Sequence, residues 1–327
     1  MEFDRPEKRQ RTGEDASVHR SDIWFDDGNV VLQAENVQFR VHRILLARHS
    51  SIFKDIFSVP QPLGGTEIAV EGCPLVHLTD SAADVHYALT KLFSLFVPGN
   101  EPKAPSVAEL TASLRIGHKY LILHLWNDAV ARLRSTFPST LKGLIERLKE
   151  GSTDIMTDDT ATAIRVPHSE NLSQLVEVVM EVELQTVLPA LCYRVLVLEP
   201  LETIIDSNFL LSDHTRAILL GGRARLRDMT TEHISAWARA QTHTADVSAE
   251  MPSQAICRQA RYDFCLDASQ KRLPIGPWTH ELPTDLCLRC HKAARLCLTG
   301  MVNTAWSKLP GTFGLPSWEK LQDFQIA

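Results

Sequence analysis

Five cysteines near the C-terminus carry the residue types and spacing for metal or redox chemistry: Cys257, Cys265, Cys287, Cys290 and Cys297, with His291 adjoining the fourth. Cys287 and Cys290 form a Cys-x-x-Cys pair, which can present two sulfurs from one turn to a tetrahedral zinc ion. Cys257 and Cys265 could supply the other two across the intervening 21 residues. That set requires the chain to leave the helical state near Phe264. On a continuous helix, two residues eight apart lie on nearly one face but about 12 Å apart along the axis, too far to share an ion. Free thiols, buried or half-exposed, are the other reading. Cys287-Leu288-Arg289-Cys290-His291 also fits covalent haem attachment, but no other cytochrome feature accompanies it. A thioredoxin-like pair would need a preceding strand, and a Pro-rich stretch stands there instead.

Other chemistry is poorly provided for. The chain holds no P-loop, dinucleotide fingerprint, Gly-x-Ser-x-Gly or His-Glu-x-x-His. Its 13 histidines are scattered. The Asp154, Asp158 and Asp159 cluster lacks the Gly and distal Glu of a calcium loop. With 34 Lys and Arg against 40 Asp and Glu, the net charge of −6 gives no broad basic surface for nucleic acid. No apolar run is long enough to cross a membrane. Seven cysteines in 327 residues fall far below the density of a disulfide scaffold. These features predict a non-enzymatic intracellular protein, cytoplasmic or nuclear, with reduced thiols. Lys8-Arg9-Gln10-Arg11 reads as a solvated tail or a nuclear-import patch.

The elements follow from periodicity. Residues 1–20 carry five basic and five acidic side chains and read as a disordered tail. Val30–Ala34 and Val37–Val41 read as strands joined at Glu35-Asn36, after the turn residues Asp26-Asp27-Gly28-Asn29. The period then becomes helical through Leu45, Leu46, His49, Phe53, Ile56 and Phe57. Ser50 or Ser51 can cap a second helix within that run. His42 stands at the strand-to-helix junction, where its imidazole can bond the unpaired backbone groups; this is a structural role rather than a catalytic one. Leu75–Leu78 reads as a strand. Thr79 or Asp80 then caps a helix carrying Val85, Leu89, Leu92 and Phe96. Ser106 and Glu109 have capping-box spacing, and Gly117 breaks the helix they open. Ile122, Leu125, Trp126, Ala129, Val130 and Leu133 form the next stripe, and Pro138 starts another with Leu141, Leu144, Ile145 and Leu148.

The polar stretch 149–169 reads as a linker. Beyond it the pattern is helical: a stripe from Leu172 to Met180, a helix opened by Pro189, and one capped by Ser212 that Gly221-Gly222 could interrupt. Residues 232–264 look helical, 266–286 are Pro-rich, and His291–Trp306 forms a last helix before a Pro/Gly/aromatic tail.

Two strands, a helix pair, a strand, a helix and a further helix pair are the element order of a BTB/POZ domain. The stretch Phe39-Arg40-Val41-His42-Arg43-Ile44-Leu45-Leu46-Ala47-Arg48-His49-Ser50-Ser51-Ile52-Phe53, preceded by Asp22-Ile23-Trp24-Phe25, resembles that family's leading signature through Phe39, His42, Leu45, Leu46, Ser50 and Phe53. Leu114-Arg115-Ile116-Gly117-His118-Lys119-Tyr120, with Leu125, resembles its later one. Phe25–Leu32, Glu71-Gly72-Cys73-Pro74 and Leu309–Glu319 are similar to the expanded BTB group of mushroom-forming fungi.

The resemblance implies an α+β architecture: a BTB/POZ domain over 21–148, a small sheet flanked by helices, and a helical C-terminal domain over 170–327. It implies a protein-binding role, with a homodimer or a peptide groove bordered by Asp22 and Arg43. It also raises a role as substrate adaptor of a cullin-type ubiquitin ligase, for which Leu144-Ile145-Glu146 is the nearest motif. A zinc-containing, transcription-linked regulator is the reading that the cysteines would support.

Overall fold

The strand Val30–Ala34 (β2) is apolar on both faces and almost wholly buried, so it must lie inside a sheet. It runs antiparallel to Val37–Val41 (β3) through the tight turn at Glu35, whose φ is +52°. Its other edge pairs in parallel with Cys73–Leu78 (β5). His19–Trp24 (β1) joins β3 in parallel, and Ala69–Val70 (β4) closes the far side. The sheet order is β1-β3-β2-β5-β4. Glu71 and Gly72 both have positive φ, as the two-residue turn joining β4 to β5 requires. The computed structural model describes residues 17–59, 69–94, 105–149, 172–206, 211–239, 254–271, 273–276 and 282–326. The tail predicted over 1–20 and the linker predicted over 149–169 fall almost entirely outside them, as do Phe96, Lys8–Arg11 and the Asp154 cluster.

Arg43–His49 (α1) and Ser51–Ser58 (α2) follow β3. The Ser50 hydroxyl caps α2 by accepting the Phe53 N–H at 3.0 Å. Ala82–Ser94 (α3) buries Val85, Leu89 and Leu92. Its first turn is held by the Ser81 hydroxyl, which accepts from Asp84 N–H, and by the Glu35 carboxylate, which accepts from Ala82 N–H. The Ser81 hydroxyl, one residue beyond the predicted pair, thus caps α3, standing three residues before the Asp84 N–H. Helices α1–α3 and the sheet make up one unit, within residues 1–98.

The second unit lies within 99–327 and is helical. Val107–Lys119 (α4) opens with the full Ser106/Glu109 capping box. Gly117 does not break α4. A Cβ there would stand 3.0 Å from the Trp126 backbone, so the glycine lets Leu123–Thr136 (α5) approach closely. The helix ends instead at Tyr120 with Leu121 left-handed, and Ile122 N–H returns to Gly117 O. Leu141–Lys149 (α6) and Ser173–Glu181 (α7) pack on the same core.

Leu188–Leu198 (α8) is buried on all sides through Leu196, which explains its largely apolar sequence; Arg194 is the one charged residue buried with it. Its Tyr193 hydroxyl donates to Ile275 O at 2.6 Å and accepts from Ile275 N–H at 2.8 Å. Leu201–Ile205 (α9) leads towards Asp213–Arg239 (α10), which is continuous through Gly221-Gly222. Gly222 serves contact rather than interruption: its missing Cβ leaves room for the Phe313 ring. Gln254–Lys271 (α11) and Leu288–Thr312 (α12) both pack on α10.

The final aromatic segment is part of this core. Trp318 stacks on Trp306 at 4.4 Å, and its indole N–H donates to Trp306 O. Phe324 sits edge-on to Trp126 and to His118.

Candidate functional site

The signature residues assemble at the β3–α1 junction. Phe39, Leu46, Ser50 and Phe53 are buried. Leu45 and Phe57, from the same helical stripe, are only half-buried, because α1 and α2 are short and turn a single face inward. The His42 ring lies 5.3 Å from Phe25, and its Nε2 stands 3.1 Å from the Asp27 carboxylate. His42 therefore does not serve the backbone as predicted. Asn29 does: its side-chain oxygen accepts the Arg43 N–H at 2.8 Å, fastening the Asp26–Asn29 turn to the start of α1. The His42 contact holds the Asp27 carboxyl below its ordinary range.

Asp22 and Arg43, the two residues expected to border a groove, have separate partners. Asp22 lies in β1 and bonds His86 Nε2 on α3 at 2.7 Å, with the Ser21 hydroxyl donating to the same carboxylate oxygen. The His86 bond, more than Ser21, lowers the Asp22 carboxyl from its usual value. Arg43 lies over the Phe57 ring and donates to the Phe57 carbonyl. The structure thus gives each a local role in its own corner of the unit.

Two features of this unit face outward. β1 stands at the margin of the sheet order, with mostly exposed or half-exposed side chains. Ile44 on α1 is 74% exposed, and Ile56 and Val59 are also exposed.

The model of the BTB/POZ domain family matches residues 25–85. This chain carries a BTB/POZ domain. The match begins before β2 and ends in α3, so it covers the strands and helices around His42. No curated protein matches the chain. BTB/POZ domains are protein-interaction modules, and the rest of the chain is mostly helical. Among the described residues no helix is long and apolar enough to cross a membrane. Leu144, from the stretch weighed as a cullin motif, is buried in the second unit's core, while Glu146 faces Lys142 on the same helix at 3.9 Å.

Outside the BTB/POZ domain, three of the four expected metal ligands come together. Cys257, Cys287 and Cys290 place their sulfurs within 4.8 Å of one another, all buried. Cys287 is the N-cap of α12 and Cys290 lies in its first turn. The Cys290 N–H points to the Cys287 sulfur at 3.5 Å, and the Cys287 N–H to the Cys257 sulfur at 3.4 Å. Burial pushes the Cys257 thiol up to about 12. Burial also acts on Cys287, but the donors from Cys290 and Cys257 outweigh it and hold its thiol below the ordinary value.

Cys265 does not join them. α11 runs on to Lys271 instead of ending near Phe264, so Cys265 sits two turns beyond Cys257. It turns to α10, where its thiol meets Ile234 O at 3.5 Å, and Cys297 meets His233 O at 3.3 Å. Of the four sulfurs grouped on the sequence, the structure brings three together and leaves Cys265 apart. The signal for Cys265 was the unbroken helical character of 254–271, which the Pro-rich stretch after it obscured.

Proposed function

We propose that the protein is a docking protein whose BTB/POZ unit associates with a second copy of the same chain. The observation that carries this reading is the β1 margin together with the exposed Ile44, Ile56 and Val59. An edge strand offers unpaired backbone groups to another chain, and isoleucines in water favour a partner that covers them. Burial supplies the driving force, about 25 cal/mol for each Å² of apolar surface removed from water. The helical unit then supplies a second surface, carried in two copies by the dimer. No catalysis enters this reading.

Light scattering on the full chain during size-exclusion chromatography tests it. The expected mass is twice the 36.6 kDa of the chain at tens of micromolar. A single-chain mass under those conditions overturns it.

A further inference from the structure

The cluster of Cys257, Cys287 and Cys290 has no part in the docking function. The three sulfurs come from elements 30 residues apart in sequence, α11 and the start of α12, yet they converge within 4.8 Å. Tetrahedral zinc–thiolate bonds of about 2.3 Å place sulfurs about 3.8 Å apart, so small side-chain rotations close the gap. The surroundings are built to hold the geometry. The three cysteines belong to one buried apolar cluster with Ile234, Trp237, Phe264, Leu286, Leu298 and Met301. Arg261, one turn after Cys257, is buried, lies over the Trp237 ring at 5.3 Å and donates to the carbonyls of Trp237 and Ala238, which ties α11 to the end of α10.

Backbone N–H groups are aimed at two of the sulfurs, an arrangement suited to thiolate ligands. The start of α12 adds the positive end of its dipole beside Cys287 and Cys290. Three thiols that merely filled space would gain little from converging in a dry pocket, where S–H groups are weak donors.

We propose that Cys257, Cys287 and Cys290 bind one zinc ion as three thiolates, with a single nitrogen or oxygen donor completing the tetrahedron. As each Zn–S bond forms, the thiol proton passes to water, and no electron moves. The ion would fasten α11 to α12 as a structural element of the helical unit.

Elemental analysis of the full chain, purified with reductant and without chelator, tests this directly, together with zinc-edge X-ray absorption. The expected result is about one zinc per chain in a shell of three sulfurs and one lighter atom. Replacement by cobalt should give the visible bands of a tetrahedral thiolate site. Cys265→Ser and Cys297→Ser should keep the metal, while Cys287→Ser and Cys290→Ser should lose it. The wild-type absorption spectrum decides the matter even if those last variants fail to fold. Zinc below about 0.2 per chain, copper in its place, a Cys287–Cys290 disulfide in the reduced preparation, or a sulfur count other than three would overturn the proposal. A monomeric chain that still holds the zinc would refute the docking reading alone.

Discussion

Replacing Asp323 with alanine should loosen the whole helical unit from its last turn of chain. The carboxylate is nearly buried, with its side chain 3% exposed. One oxygen accepts the Thr186 N–H at 2.8 Å; the other accepts the Thr186 hydroxyl and Arg134 Nη2, the latter at 2.8 Å. Asp323 also bridges to Leu184, and the Phe324 N–H donates to Glu183 O, so the carboxylate anchors a segment that carries Phe324 onto Trp126 and His118.

A hydrogen bond to a charged acceptor contributes about 1.5–3 kcal/mol, and the two from Thr186 share one residue, so they do not add fully. Arg134 is 55% exposed, and solvent screening leaves its ion pair at about 0–1 kcal/mol. The expected loss is about 2–4 kcal/mol, which for a unit of this size lowers the melting temperature by about 5–12 °C. Circular dichroism at 222 nm during heating of the full chain follows the helical transition. Asp323→Asn, which keeps one acceptor, should fall between the two. A melting temperature within about 1 °C of the wild type would refute the anchoring role.

Two glycines in long helices should respond in opposite directions to alanine. At Gly222 a Cβ would stand 2.4 Å from the Phe313 ring, and the overpacking of about 1–3 kcal/mol exceeds the gain in helix propensity; at Gly300 nothing lies within 4 Å, so alanine should stabilise by about 0.5–1 kcal/mol. Thermal melts of the two variants decide this. The Asp22 carboxyl should titrate below its position in a His86→Ala variant, read by NMR of the side-chain carbon. Because the folded value is the lower one, the contribution to stability is present above the unfolded value and is lost as the pH falls through the folded one. Cys192, buried in α8 with its thiol pushed up to about 12 by desolvation, should resist alkylation in the native chain and react once denaturant is added; native labelling would contradict its burial.

Much of the first unit was legible because its signals are local. β2 and β3 alternate or run apolar over five residues each, Ser50 stands where α2 needs a cap, and Ser106 and Glu109 have the reciprocal spacing of a capping box. The less legible features depend on distant partners. His19–Trp24 has weak strand character and becomes β1 only by pairing with β3. Gly117 and Gly222 look like breaks until Trp126 and Phe313 are seen to fill the space beside them. The thiol cluster was legible through its Cys-x-x-Cys pair, but the choice of Cys257 over Cys265 rested on where α11 ends. The tail's aromatic residues gave no sign that Asp323 would reach Thr186, 137 residues earlier.

The most direct measurement of the docking function compares the full chain with an Ile44→Asp variant by sedimentation velocity across a hundredfold range of concentration. Ile44 is largely exposed in the first turn of α1, so an acidic side chain there leaves the fold intact. The account predicts a dimer for the wild type and a dissociation constant raised at least tenfold for the variant, about 1.4 kcal/mol of lost association. Equal association by the two proteins, or none by either, would contradict it.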